Sequence, residues 1–153
     1  MTVTLKPITK DNFQACITLK VNDDQKMFVA PNLYSIAQGQ FTPGTQMRGI
    51  YADDTLVGFV MWTWDNEDHD PPEMWLWRFM IGGDYQGQGY GRAAMQHVIA
   101  LLKIEGVTEL FLSYEPENTG GAQFYAGLGF ADTGRVEGGE IVVKLDLTEE
   151  QGV

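Results

Sequence analysis

Between residues 79 and 92 the chain reads Phe79-Met80-Ile81-Gly82-Gly83-Asp84-Tyr85-Gln86-Gly87-Gln88-Gly89-Tyr90-Gly91-Arg92. An apolar run stops, glycines stand at alternate positions 87, 89 and 91, and a helical pattern begins. This order predicts a strand, a turn of exposed backbone N–H groups, and a helix N-terminus. Such a turn can hold a phosphate. It is not the dinucleotide fingerprint, because Gly91 and Arg92 break that spacing, and no Gly-Lys-Ser/Thr follows to make a P-loop. The bland alternative is a flexible turn ahead of a helix. Arg92 speaks for an anion, because a cation is poorly placed at a helix N-terminus unless something negative joins it.

The rest of the chain arranges itself around that turn. Val3 to Ile8 alternates like a strand, Thr9 reads as a cap for a helix over Asp11 to Leu19, and Pro31 to Gln40 suggests a second helix. Met47 to Tyr51 and Thr55 to Trp64 read as a hairpin turning at Ala52-Asp53-Asp54. Asp65 to Pro72 is a polar loop, and Met74 to Ile81 is the strand that leads into the glycine turn. From Gly91 to Glu105 an apolar face of Ala94, Val98, Leu101 and Leu102 predicts a helix, which Gly106 ends. Glu109 to Tyr114, Phe130 to Val136 and Ile141 to Leu145 read as strands, with a short helix over Gly120 to Gly127. The order β-α-α-β-β-β-α-β-α-β-β gives an α/β chain with a mixed, mostly antiparallel sheet and helices on both faces. With 153 residues, 44% of them apolar, residues 1–153 are expected to form one domain with a filled core.

Charge narrows the partners. Ten basic residues face 21 acidic ones, a net charge of −11. That argues against a duplex nucleic acid, which needs a basic surface. It suits a cationic substrate, or acts only to keep the protein soluble. No stretch is long and apolar enough to span a bilayer, and the first residues lack a basic region followed by an apolar one. With a single cysteine, Cys16, read as packing, these features predict a cytoplasmic protein. No metal site is expected: the loop from Asp65 lacks calcium-loop spacing, and His69 and His97 look isolated.

Gln86-x-x-Gly89-x-Gly91 after an apolar strand resembles the acetyl-CoA motif of the GNAT superfamily of N-acetyltransferases. Asn118, Phe124, Tyr125, Gly129 and Phe130 stand at the spacing of that family's Asn-x-x-Ala-x-x-Phe-Tyr-x-x-x-Gly-Phe, with Gly121 in the place of the alanine. The element order matches that fold along the whole chain. More narrowly, Lys6-Pro7-Ile8-Thr9, Gly58-Phe59-Val60-Met61, Arg78-Phe79-Met80-Ile81 and Ser113 to Asn118 look like bacterial spermine/spermidine acetyltransferases of the Blt type.

The resemblance implies direct transfer of acetyl from acetyl-CoA to a primary amine, with no acetylated enzyme. The backbone of Gln86, Gly87, Gln88, Gly89, Tyr90, Gly91 and Arg92 would then take the pyrophosphate. The pantetheine arm would pair with Phe79, Met80 and Ile81 like an added strand. Tyr125 would protonate the leaving thiolate and Asn118 would bind the cofactor; otherwise Tyr125 is a core aromatic and Asn118 a helix cap. Many relatives carry a glutamate in the middle of the strand before the turn. Here that stretch reads Trp75-Leu76-Trp77-Arg78. Glu73 and Glu115 stand as substitutes for the base, neither preferred, or as solvated carboxylates. Arg78 inside an apolar strand is expected to pair with a buried acid, Glu115 being the candidate.

Asp65-Asn66-Glu67-Asp68-His69-Asp70 joins strands with alternating tryptophans, Trp62 with Trp64 and Trp75 with Trp77. One reading is core aromatics with a wet loop. The other is a cation-binding mouth, with Asp65, Glu67 and Asp68 drawing an amine past Trp75, Trp77 and Arg78. The acceptor expected first is a polyamine. A peptide N-terminus, another small amine or a non-catalytic acyl-CoA-binding module are the alternatives. The family resemblance also raises a homodimer through the last strands.

Overall fold

Alternation of apolar and polar residues produces strands that each serve two layers, and the computed structural model, which describes residues 2–148, shows both layers filled. The strands are β1 (Val3–Pro7), β2 (Gln46–Ala52), β3 (Thr55–Asp65), β4 (Glu73–Ile81), β5 (Glu109–Tyr114), β6 (Ala131–Glu137) and β7 (Glu140–Asp146). The helices are α1 (Phe13–Thr18), α2 (Asn32–Gln40), α3 (Tyr90–Ile104) and α4 (Thr119–Gly127). One seven-stranded sheet has the order β1-β2-β3-β4-β5-β7-β6. Every neighbouring pair is antiparallel except β4 with β5. This is the element order and mixed sheet expected from the sequence.

Neighbours along β3 go to opposite faces. Val60 and Trp62 pack in the larger core under α3, while Phe59 and Met61 pack with Cys16 of α1 and Ile36 of α2. On α3, Ala94, Met95, Val98, Ile99 and Leu102 are buried. Leu101, expected on that stripe, is exposed, because Met95 and Ile99 widen the apolar face on its far side. Helix α1 is shorter than expected. Thr9 does not cap it; its Oγ1 accepts from Asp11 N at 3.2 Å, and Asn12 Oδ1 accepts from Thr9 N at 2.7 Å, a local turn that delays the helix to Phe13. Two 3-10 turns that the sequence pattern did not mark, Asp23–Gln25 and Gly83–Tyr85, lie beside each other near the glycine turn.

Two irregularities shape the middle of the sheet. Met61 pairs with Arg78 but Trp62 pairs with Leu76, so Trp77 is an extra residue in β4. This β-bulge flips the alternation. Met74 and Leu76 enter the larger core before it, whereas Phe79 and Ile81 do so after it. The parallel partners β4 and β5 are paired only at Met74–Leu110 and Trp75–Phe111. Beyond those pairs the two strands part, and a split opens in the sheet.

Candidate functional site

The split lies between two clefts. One, of about 480 Å³, runs from Phe79, Met80 and Ile81 past Gln86, Gly87, Gly89, Tyr90, Gly91 and Arg92 to Asn118 and Tyr125. The other, about 1070 Å³, is bounded by segment 26–31, the loop after β3, the middle of β4, the end of β5 and the β6–β7 turn. Phe28, Val29, Phe79, Asn118 and Tyr125 line both.

The glycine turn has the geometry its sequence predicts. Gly87 and Gly89 sit at φ 78° and 84°, the left-handed region that glycine enters without strain. Gly89 is the residue before α3. The N–H groups of Gly87, Gln88 and Gly89 donate to no other described residue. Free donors beside the positive end of a 15-residue helix suit a pyrophosphate. The side chains of the motif have other partners. Gln86 Nε2 donates to Ile81 O at 2.9 Å and to Gln25 Oε1 at 2.9 Å. Gln88 Oε1 accepts from the Tyr90 hydroxyl at 3.1 Å, and Gln88 lies outside the cleft lining. Arg92 Nη1 donates to Gly127 O at 3.3 Å, at the carbonyl end of α4.

Tyr125 stands where the clefts meet. Its ring is held by Phe124 (5.3 Å between centroids), Phe130 (5.8 Å) and Tyr114 (6.3 Å). Its hydroxyl makes no hydrogen bond to another described residue. Burial pushes the phenol well above its ordinary pKa, so it keeps its proton. Asn118 caps α4 by accepting from Gly121 N at 3.0 Å through Oδ1. A Cβ on Gly121 would lie 2.5 Å from Asn118 Nδ2, so an alanine here requires the Asn118 side chain to shift. The cap and cofactor readings of Asn118 are therefore compatible: Oδ1 holds the helix, and the residue still lines both clefts.

In the larger cleft the expected residues fall into separate groups. Arg78 does not pair with Glu115. Its Nη1 donates to Trp77 O at 3.0 Å and its Nη2 to Gln38 Oε1 at 3.0 Å, both neutral, while its buried Nε has no partner. Desolvation lowers its pKa, partly offset by Tyr34 and Glu140. Glu115 lines the cleft and forms no ion pair among the described residues. Glu73 is held by Arg135. Partial burial opposes its charge, but hydrogen bonds from Arg135 and Trp75 and the nearby positive charge outweigh this and lower its pKa.

His69 is not isolated. Its Nδ1 lies 3.0 Å from Asp65 Oδ2, and its Nε2 lies 2.9 Å from Arg135 Nη2, 3.2 Å from Glu137 Oε1 and 3.3 Å from Glu73 Oε1. Nε2 thus stands among one donor, the Arg135 guanidinium, and two carboxylate acceptors, Glu137 and Glu73. His69 stacks on Trp75 at 5.5 Å, and Trp75 on Phe111 at 5.8 Å. Asp65 Oδ1 also accepts from Glu67 N and Asp68 N at 3.1 Å each. These bonds and His69 lower the Asp65 pKa against the opposing effect of burial. Asp65 therefore shapes the loop, and Glu67 and Asp68 stand exposed. Trp75 and Trp77 line the cleft, and Trp64 stands half-exposed at its rim, but Trp62 is buried in the core on the opposite face. The sequence signal for the His69 cluster was faint: Asp65 at the end of β3, His69 in the loop and Glu73 at the start of β4 are spaced by four, while Arg135 and Glu137 come from a strand far along the chain.

Comparison with known proteins identifies the family and the fold. The profile of the Acetyltransferase (GNAT) family matches residues 11–130. The chain is 29% identical over 154 residues to a spermine/spermidine N(1)-acetyltransferase of Bacillus subtilis (strain 168), covering 94% of this chain and 99% of that protein. Among solved structures, the PaiA N-acetyltransferase of Thermoplasma acidophilum in complex with coenzyme A superposes with a TM-score of 0.70 at 16% identity, covering 95% of this chain and 99% of that one. The GNAT domain of S. lividans PAT gives a TM-score of 0.78 at 16% identity, covering 95% of this chain and 91% of that one.

Proposed function

The chain belongs to the acetyltransferase (GNAT) family, and on that premise we propose that it transfers acetyl from acetyl-CoA to a primary amine, with a polyamine such as spermidine or spermine as acceptor. The observation that carries the reading is Tyr125: a hydroxyl without a hydrogen-bond partner among the described residues, at the meeting point of a phosphate-fitted cleft and an acid-lined one.

The smaller cleft fits coenzyme A on its free N–H groups and on the unpaired side of β4. Gly87, Gln88 and Gly89 donate to the pyrophosphate, and β4 from Phe79 to Ile81 offers backbone to the pantetheine amides. Acetyl-CoA supplies a thioester whose carbonyl carbon the amine attacks and a thiolate that leaves. The new N–C bond replaces the C–S bond, Tyr125 gives its proton to the departing sulfur, and the proton the nitrogen sheds as the amide forms restores the tyrosine.

The attacking nitrogen must first lose a proton. With a pKa near 10.4, on the order of 0.1% of it is neutral at pH 7. Between the two carboxylates considered for this step, Glu115 fits better. It lines the acceptor cleft with no ion pair among the described residues, while Arg135 keeps Glu73 ionised and engaged. Asp65, Glu67, Asp68, Glu137 and Glu140 also line that cleft, against Lys26 and Arg78. This excess of negative charge favours a polycation. A second reading is favoured by Arg78, whose hydrogen-bond partners among the described residues are neutral: an acceptor with carbonyl or carboxylate groups near its amine, as in a peptide N-terminus.

Thiol release from acetyl-CoA over spermidine, spermine, short peptides and aminoglycosides tests the proposal. The polyamine reading expects the highest kcat/KM with spermidine or spermine. Faster turnover of peptides selects the second reading, and no release with any amine rejects acetyl transfer.

A further inference from the structure

The wall shared by the two clefts is pinned to the glycine turn by a pair of glutamine side chains. Gln25 Nε2 donates to Gln86 Oε1 at 3.0 Å, and Gln86 Nε2 donates back to Gln25 Oε1 at 2.9 Å. Each amide is further tied to its own side. Asn22 N donates to Gln25 Oε1 at 3.1 Å, which closes the 3-10 turn, and Gln86 Nε2 donates to Ile81 O at 2.9 Å. Asn22 Nδ2 adds a contact to Gln86 Oε1 at 3.4 Å.

Beyond Gln25 the chain is held by Phe28 N donating to Gln25 O at 2.9 Å, by the Lys26–Asp23 ion pair at 2.8 Å and by Val29 packing on the smaller core. From residue 26 to 31 it has no helix or strand, and Met27 is 78% exposed. Yet this segment separates the clefts. Phe28 and Val29 line both, while Lys26, Met27, Ala30 and Pro31 line the acceptor cleft alone. Upstream it joins the residue paired with Gln86, Val29 seats it on the smaller core, and downstream it leads into α2. Gln86 in turn belongs to the loop whose free N–H groups face the cofactor cleft.

We propose that the Gln25–Gln86 pair is a positioning device. By ordering the glycine turn, coenzyme A fixes Gln86, which fixes Gln25 and sets segment 26–31 against the acceptor. Binding at one cleft then strengthens binding at the other, reciprocally, as any coupling between two sites must be. The inference rests on the coenzyme A reading of the smaller cleft and not on the identity of the amine.

The test is amide hydrogen exchange of the full chain with and without coenzyme A, in the wild type and in Gln25→Ala, joined to steady-state kinetics with the best acceptor. In the wild type, coenzyme A is expected to slow exchange in both 86–92 and 26–30. In Gln25→Ala it still slows 86–92 but no longer 26–30, and the acceptor KM at saturating acetyl-CoA rises about 5-fold or more, the low end of typical coupling. Protection of 86–92 alone in the wild type, or equal protection of 26–30 in both proteins, overturns the coupling while leaving the cofactor reading intact. Absence of protection in 86–92 rejects both.

Discussion

Arg135 grips both carboxylate oxygens of Glu73, Nη1 to Oε2 and Nη2 to Oε1, each at 3.0 Å. Sixty-two residues apart in sequence, the two tie strand β6 to the start of β4, close to where β4 and β5 part. Arg135 also contacts Glu137, and its guanidinium lies 5.3 Å above the Phe111 ring. A carboxylate in this bidentate grip is a poor proton acceptor and a good brace.

Glu73→Gln therefore tests a structural role. Losing a charge-assisted pair whose acid is 18% exposed should cost about 1–3 kcal/mol and lower Tm by several degrees. The acid limb of the kcat/KM profile should stay in place. Thermal unfolding and a pH–rate series check both; a displaced acid limb with unchanged Tm would make Glu73 the base instead.

The same groups set an acid limit on stability. Glu73 and Asp65 have pKa values depressed in the folded state. Their contribution is fully present above the unfolded carboxylate pKa near 4 and is lost as pH falls through the lower folded values. Tm should thus drop on acidification below about pH 4. Asp65→Asn combined with Glu73→Gln should flatten that drop in a calorimetric pH series, since the double variant has already lost the linkage.

Neutralising Glu67 and Asp68 probes the cleft mouth without disturbing Asp65. Exposed charges contribute about 0.2–1 kcal/mol each, so Glu67→Gln with Asp68→Asn should raise the polyamine KM on the order of 3- to 10-fold and leave kcat alone. The increase should shrink at high salt. An unchanged KM would reduce the loop to a solvated surface.

Gly121→Ala would restore the alanine of the family motif and should nonetheless harm this chain. The added Cβ falls 2.5 Å from Asn118 Nδ2, so the Asn118 side chain must move and its cap on α4 weaken. Calorimetry should show about 1 kcal/mol lost. Isothermal titration should show weaker coenzyme A binding. If both values match the wild type, Asn118 has room that the geometry denies it.

The sequence was most legible where physics is local. Period-two alternation gave the strands, period 3.6 gave α3, and glycines at 87 and 89 announced positive φ. The order of elements along the chain and the mixed sheet were legible, and two motifs singled out Asn118 and Tyr125, but the spatial order of the seven strands was not read from the sequence. Contacts closed by distant residues were not legible. Nothing near His69 signals Arg135 or Glu137, and nothing near Gln25 signals Gln86. Arg78 misled for a related reason: a buried cation suggested a buried acid, but a backbone carbonyl and the Gln38 amide, together with Trp77 beneath the guanidinium at 5.5 Å, take that role. The bulge at Trp77 was also invisible, although it decides which β4 residues face each cleft.

The proposed mechanism has Tyr125 donate the proton to the leaving thiolate. The most direct measurement compares Tyr125→Phe with the wild type in acetyl-CoA thiol release with a saturating amine, alongside the Kd for coenzyme A. Phenylalanine keeps the ring stack with Phe124, Phe130 and Tyr114 and removes only the hydroxyl. The predicted result is a kcat lowered about 10-fold or more with the coenzyme A Kd unchanged. Wild-type turnover in Tyr125→Phe would contradict the account.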